Sequence, residues 1–415
     1  MLSRAAVRLP LRRRGYYATA HCRRGYATAV EVWREVNSLA AQPGMINMGQ
    51  GFPDFAGSLT ARQAAAEALL VGSAAANQYS APAGLSELRE EVSRLYARLY
   101  PGDAYDPASE VVICTSGQES LNAALRACVS EQVSRGGRDG VIVFEPYFPF
   151  TQGALDNAPA VMQPVRTHAP GFAIDAAALR AAVTPRTGAR TVLLNSPHNP
   201  TGHMASEAEL AAVAEVCVEH DLLAVSDEVY EHAVFGEGHA REDHHGKLFS
   251  LTGWRVAWAL APARLATAVA SAHTNLTYSA PTPLQAGIAA ALREEDGSFG
   301  GALREHRGLT VCDAQGGYFL VADAGAPGIG SVSRYSVMCS HLPLFPGVPD
   351  IDFVRSLAAE CGVVCTPMSV FYADQDQSES CTLVRFTICK SREHIQRACA
   401  ALAGRRGRRE RVAGT

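Results

Sequence analysis

The stretch Thr191-Val192-Leu193-Leu194-Asn195-Ser196-Pro197-His198-Asn199-Pro200-Thr201-Gly202 decides the fold of this chain. Its first five residues read as a buried strand, and the prolines and glycine that follow close it in a tight polar loop. Asn195 and Asn199 therefore stand where a strand stops. The pattern recurs downstream, where a helical stretch to His220 leads to a strand from Leu222 to Ser226, halted at Asp227-Glu228-Val229-Tyr230. It recurs upstream as well. Val111 to Thr115 reads as a strand that turns through Ser116-Gly117-Gln118 into a helix ending near Ser130. Val141 to Glu145 is a strand ended by Pro146, and Val161 to Val165 is another. Short apolar runs alternating with helical stretches predict an α/β chain whose mainly parallel sheet is covered on both faces. Polar residues at the strand ends then gather on one rim, where such sheets bind ligands.

Outside this block the pattern is looser. Helices are expected over 30–41, which carries Trp33, and over 58–71 and 85–99; residues 46–55 are turn-rich. After a strand at 256–260, helices are expected over 263–272 and 283–293, then strands at 318–322 and 383–388 and a helix over 391–403. The arginine-rich end, Arg405 to Arg411, reads as frayed and solvated. With 415 residues, two units are expected. The division is a leader at 1–30, an N-terminal part of a small α+β domain at 31–75, a large domain at 76–287, the rest of the small domain at 288–403 and a basic tail at 404–415.

Charge and composition exclude several classes. Net charge is −4, but residues 1–30 hold seven arginines and no acid, so the rest carries 30 − 41 = −11. That balance is opposite to a chain that wraps nucleic acid. No apolar run is long enough to span a bilayer. The leader has the composition of a mitochondrial transit peptide, with a plastid or the cytoplasm as alternatives. The eleven cysteines are scattered and expected reduced. Neither the Cys361/Cys365 pair nor the thirteen histidines show metal-ligand spacing, so no metal site is expected.

Of 37 basic residues only two, Lys247 and Lys390, are lysines. Arginine keeps its proton at any working pH, whereas lysine can lose it and form a Schiff base with a carbonyl. Lys247 lies twenty residues after Asp227 and eight before Arg255. Taken alone, Lys247 is an ordinary surface lysine, Asp227 a helix cap and Phe148 core. Taken jointly, their chemistries fit one small molecule, pyridoxal phosphate.

The motifs NMGQGFPDF (47–55), NQYSAPAG (77–84), FEPYFPF (144–150), NSPHNPTG (195–202), SDEVYEH (226–232), GKLFSLTGWRVAW (246–258), QGGYFLVAD (315–323) and LVRFTICK (383–390) run in order along the chain. In these the chain resembles the fold-type I, class I/II pyridoxal-phosphate aminotransferases, of the kynurenine/glutamine aminotransferase and cysteine-conjugate β-lyase branch. The resemblance implies a large domain with a seven-stranded type of sheet, one strand of it missing here, and a smaller α+β domain. It implies that Lys247 holds the cofactor aldehyde and shuttles the proton, with Asp227 on the pyridine nitrogen and Asn199 and Tyr230 on the phenolic oxygen. Phe148, or less plausibly Tyr147, stacks on the ring. Ser116, Gly117 and Gln118 at a helix N-terminus, with Arg255, hold the phosphate; Tyr79 reaches it from the neighbouring subunit of a homodimer. Arg385 binds the substrate α-carboxylate as a bidentate fork, with Asn195 and the Gly49 backbone opposite. Trp33 and Tyr278 line the side-chain pocket. The substrates implied are an aromatic or sulfur amino acid and a 2-oxo acid, with β-elimination as a side activity. A relative that makes 1-aminocyclopropane-1-carboxylate and a non-catalytic paralogue are the rivals.

Two departures stand out. Only seventeen steps separate Tyr230 from Lys247, about half the family's usual length, and the residues between are polar and turn-like. His244 stands where the family has a phosphate-binding serine. The stretch from Gln285 to Tyr318 is also short. A sheet strand is thus expected to be missing, as in a splice form or an incomplete gene product.

Overall fold

The computed structural model describes residues 20–102, 104–129, 140–158, 160–184, 188–231, 233, 249–294, 315–323, 350–373 and 383–413; for 20–28 and 404–413 it describes the backbone alone. Lys247 and His244 lie outside the described residues.

In chain order the elements are α1 (Ala20–Ala40), β1 (Ile46–Asn47), α2 (Leu59–Leu70), α3 (Ser86–Leu99), β2 (Val111–Cys114), α4 (Gly117–Cys128), β3 (Gly140–Glu145), α5 (Phe150–Asn157) and β4 (Val161–Arg166). There follow α6 (Ala176–Ala182), β5 (Ala189–Asn195), α7 (Glu207–Glu219), β6 (Leu223–Asp227), β7 (Ala257–Leu260), α8 (Ala263–Leu276) and α9 (Thr282–Glu294). The last are β8 (Phe319–Asp323), α10 (Asp350–Cys361), β9 (Val363–Val364), β10 (Thr366–Pro367), β11 (Leu383–Thr387) and α11 (Arg392–Ala413). Local sequence sets several starts. Ser206 and Glu209 form a reciprocal capping box on α7, and the Asp175 carboxylate caps α6.

Strands β4, β3, β5 and β6 form a parallel sheet in that order. Successive residues point to opposite faces, and both faces are covered. Ile142, Phe144, Val192 and Leu194 pack with Leu179, Val213 and Val216 on one side. Val141, Val143 and Leu193 pack with Leu121, Leu125 and Leu155 on the other. Each such side chain stabilises the fold by about 1.5–3 kcal/mol. A separate core joins Val36, Met48, Leu320, Phe353, Val384 and Phe386. It lies around the antiparallel sheet β10-β11-β8 and the short parallel pair β1-β9.

Among the described residues the sheet is in two pieces. Strand β6 ends the four-stranded sheet, and β7 pairs antiparallel with β2 in a sheet of two. Among the described residues nothing pairs with the outer edge of β6 or of β7. Helix α4 touches β2, β7 and β6, so one helix covers both pieces. Strand β3, flanked on both sides, is buried throughout, whereas on β6 Leu223 is 39% exposed.

The elements follow the sequence expectations with three differences. Helices α5, α6 and α10 are additional to those expected. The backbone of α1 begins at Ala20, inside the stretch read as a leader. The tail expected to fray is helical, since α11 continues to Ala413. No helix among the described residues is long and apolar enough to cross a membrane.

Candidate active site

The carboxyl ends of β3, β5 and β6 open on a cleft with about 540 Å³ of empty space, its open mouth included. Tyr147, Phe148, Asn195, His198, Asn199 and Asp227 are among the residues that line it. Tight turns at the strand ends bring them together from three separate sequence motifs.

A chain of hydrogen bonds runs across this rim. Asn195 Nδ2 donates to the Asp227 carbonyl oxygen at 2.8 Å, and the Asn199 backbone N–H donates to Asn195 Oδ1 at 2.8 Å. Asn199 Oδ1 in turn accepts from Arg385 Nη1 at 2.8 Å. The other arm of the guanidinium, Nη2, donates to the Gly49 carbonyl at 2.9 Å and approaches Thr366 Oγ1 at 3.5 Å. Six residues, four of them on β5, β6, β10 and β11, are thereby linked.

Arg385 is 2% exposed, lies at the centre of β11, and among the described residues has no carboxylate hydrogen-bonded to it. Aromatic rings surround it: its Cζ is 3.9 Å from the Phe319 centroid, 4.7 Å from Phe371 and 5.4 Å from Trp33. Its Nε is buried without a partner. Burial pulls its pKa down to about 9, with Tyr230 and Cys389 acting in the opposite sense, so it is a cation at neutral pH. A desolvated cation with an unused donor is a receptor for an anion.

The remaining expected residues are placed as follows. Tyr230 is 2% exposed and packs edge-on against Tyr318 and Phe319, at 5.1 and 5.9 Å between centroids. Phe148 stacks at a tilt on Phe150, 5.2 Å away, beside the cleft. Ser116 Oγ accepts from the Glu119 N–H at 3.3 Å and caps α4. Its backbone lies at φ 84°, ψ 156°, a region L-residues avoid, and such strain gathers at working sites. A side chain at Gly117 would meet Val229 Cγ1 at 3.0 Å, which keeps that turn open. Gln118 Nε2 donates to the Phe150 carbonyl at 3.2 Å. Arg255 is exposed, takes a left-handed conformation (φ 56°), and its Nη1 reaches the Thr252 carbonyl at 3.4 Å.

Four of the expected residues make the following contacts. Asn199, expected on the cofactor, is engaged by Arg385. Asn195, expected on the substrate carboxylate, spends its side chain on Asp227 and Asn199. The Gly49 N–H donates to Asn47 Oδ1 at 3.1 Å, so only its carbonyl faces the arginine. Tyr278 is not at the cleft; it pairs with Tyr79 at 5.4 Å, the two being 48% and 82% exposed. Two residues the sequence reading missed belong here. Phe371 has no local signal, because only the chain's return brings it to Arg385. His198 sits inside the quoted NSPHNPTG motif, buried, with Nδ1 2.7 Å from Thr201 Oγ1. Burial, reinforced by the charge of nearby His203, pushes it down to about 3. The second lysine, Lys390, donates Nζ to the Phe52 carbonyl at 2.6 Å and is held on the 47–55 loop.

The sequence pattern of the family "Aminotransferase class I and II" matches residues 43–402. The chain belongs to the class I and II aminotransferases. This aminotransferase is 34% identical to the N-succinyldiaminopimelate aminotransferase of Mycobacterium tuberculosis, over 92% of this chain and 96% of that protein. The solved structure of that enzyme superposes with a TM-score of 0.76 and 33% identity, covering 92% of this chain and 98% of its own. The chain is also 31% identical to the methionine aminotransferase of Escherichia coli, over 83% of this chain and 88% of that protein. It is 30% identical to the kynurenine–oxoglutarate transaminase of Dictyostelium discoideum, over 88% and 92% respectively.

Aminotransferases of these classes use pyridoxal phosphate. The donor set described here fits that group. Asp227 and Phe148 line the cleft, and the N-terminus of α4, reached through the strained Ser116 turn, is where an anion is favoured. The aldehyde-binding amine assigned to Lys247 lies outside the described residues.

Proposed function

We propose that this aminotransferase moves an amino group from an aromatic or sulfur amino acid, of the kynurenine, methionine or glutamine kind, to a 2-oxo acid. The observation that carries this reading is the buried Arg385 cation, held by neutral acceptors and walled by Phe319, Phe371 and Trp33. The α-carboxylate of an amino acid is the anion it is built to take. The aromatic walls favour a side chain that is apolar or flat. The names of the methionine and kynurenine relatives support the same class.

Pyridoxal phosphate, when bound, supplies the electron sink that lets the Cα proton leave. In this reading the chain's own residues do the rest. Arg385, anchored by the Gly49 carbonyl, orients the substrate, Asp227 holds a proton on the ring nitrogen, and Tyr230 and Asn199 fix the ring's polar edge. Lys247 carries the proton from the substrate carbon. β-Elimination from cysteine conjugates follows as a side activity where the leaving group departs before the proton returns.

The test is the absorbance of the bound cofactor before and after adding kynurenine, methionine, glutamine, aspartate and N-succinyldiaminopimelate. Spectral conversion by the first three supports the proposal. A response confined to aspartate, or to N-succinyldiaminopimelate, overturns it; the second outcome would match the relative from Mycobacterium tuberculosis. Product analysis with S-adenosylmethionine decides against or for the cyclopropane-forming rival. Absence of bound cofactor from the pure protein would favour the non-catalytic paralogue, which the short 230–247 segment and His244 motivate.

We further propose a homodimer, because Tyr79 and Tyr278 present an exposed aromatic pair. Sedimentation as a monomer, or as a dimer unaffected by Tyr79→Ser, would remove that support. Mitochondrial delivery by residues 1–30 is proposed from their arginine-rich, acid-free composition. Fluorescent fusions with and without those residues test it.

A further inference from the structure

A second chemical cluster lies on the far side of the Ser116 turn. Cys114 ends β2, Glu119 stands in the first turn of α4, and His273 stands in the last turn of α8. Cys114 and His273 are 0% exposed and the Glu119 side chain is 11% exposed. One ligand atom of each, a sulfur, a carboxylate oxygen and an imidazole nitrogen, lies within 4.8 Å of the other two. We propose that Cys114, Glu119 and His273 bind one divalent cation of the zinc type.

Ordinary pairing leaves this cluster incomplete. Glu119 Oε2 accepts from the Thr115 N–H at 2.9 Å and faces His273 Nδ1 at 2.9 Å. Glu119 Oε1 and His273 Nε2 are both buried with no partner among the described residues. His273 Nδ1 and Glu119 Oε2, 2.9 Å apart, are the pair a cation would share in place of the proton between them. An imidazole nitrogen, a carboxylate oxygen and a sulfur within one small volume are all electron-pair donors. The Cys114 thiol hydrogen-bonds to the Val112 carbonyl at 3.8 Å and with Ser120 and Glu119, and a cation would replace these bonds.

The donor set also selects the ion. Sulfur with imidazole favours a borderline-soft metal over magnesium or calcium. Around tetrahedral zinc, with bonds of about 2.0–2.3 Å, neighbouring ligand atoms stand roughly 3.3–3.8 Å apart, so about 1 Å of closure completes the site. Burial and the Glu119 charge hold the Cys114 thiol protonated. Binding therefore exchanges that thiol proton, released to solvent, for a sulfur–metal bond. One thiolate and one carboxylate then neutralise the two positive charges. Thr277, exposed and with Oγ1 3.3 Å from His273 Nδ1, marks the route in and offers oxygen for the fourth position, directly or through water.

The site ties β2 and the start of α4 to α8, beside the turn assigned to the cofactor phosphate. Its existence does not depend on that assignment.

The experiment uses the full-length, untagged, reduced protein with its cofactor. The protein is loaded with zinc chloride, passed through a desalting column with a weak chelator, and assayed for metal by mass spectrometry. Wild type is expected to retain one zinc per chain more than Cys114→Ala or His273→Ala. Equal retention by wild type and variants overturns the proposal. Because either variant can misfold, wild type is also loaded with cobalt(II). A tetrahedral cobalt spectrum with a sulfur-to-metal charge-transfer band is expected. Cobalt bound without that band, or no cobalt bound, overturns the proposal irrespective of the variants.

Discussion

Arg385 Nη1 donates to Asn199 Oδ1 across 2.8 Å, so a buried cation is anchored by a neutral amide instead of a carboxylate. A carboxylate there would have neutralised the guanidinium and left it nothing to recruit. Asn199→Asp tests this. The new charge is expected to pair with Arg385, raise the melting temperature, and raise KM for the amino acid at least about tenfold, since 1.4 kcal/mol of lost anion binding already gives that factor. Steady-state kinetics beside a thermal melt would show it. An unchanged KM would mean that substrate does not meet Arg385.

Burying a charge without a counter-charge is expensive, and Arg385 carries that cost in the substrate-free protein. Arg385→Met fills similar volume without charge. The variant is expected to melt at or above the wild-type temperature, with a stability change between neutral and about 1–4 kcal/mol favourable. Its kcat/KM should fall about a hundredfold or more, as a charge-assisted anchor is lost. A variant that loses activity only because it unfolds would contradict this.

His198 is held neutral by burial, with its pKa lowered to about 3. The unfolded chain takes up a proton near the ordinary histidine value of about 6.5, while the folded chain does not until about 3. Stability from this group is therefore complete above about 6.5 and declines as pH falls toward 3. In Asn, the His198→Asn variant should show a shallower loss of stability over that window. Denaturant midpoints across pH 7 to 4 would measure it, and parallel curves for the two proteins would refute it.

Ser116 sits at φ 84°, ψ 156°, where only glycine is comfortable. Ser116→Gly removes strain of about 1–3 kcal/mol, while loss of the serine cap to glycine costs only a few tenths. The net expectation is a more stable protein with weaker affinity for pyridoxal phosphate, read by melting of the apo form and by cofactor titration. Lower stability in the apo form would show that the turn is unstrained.

The edge of β6, which no described residue pairs with, should be visible in hydrogen exchange. Amides of β3, bonded on both sides, are expected to exchange slowest. Those β6 amides that point away from β5 should exchange orders of magnitude faster, and the edge should favour self-association at high concentration. Uniform protection across β6 would mean that another part of the chain pairs with it.

Much of this was written in local sequence. The apolar runs at 111–114, 141–145 and 191–195 could form little but buried strands, and the polar turns that stop them had to stand on one rim. Eight ordered motifs then identified the family. What stayed hidden depended on distance along the chain. Phe371 and Phe319 reach Arg385 only because β8 pairs with β11 and the chain returns past it.

The sequence by itself determined the alternation of strand and helix and the family, because these rest on periodicity and turn residues within a few positions of one another. Only the tertiary structure decided who bonds whom. It turned Asn199 toward Arg385, placed Tyr278 with Tyr79, and brought Cys114 and Glu119 against His273, 154 positions beyond Glu119. It also showed that the sheet is divided between β6 and β7. Spacing along a chain fixes neighbours on one element; contacts between elements follow from the packing of all of them at once.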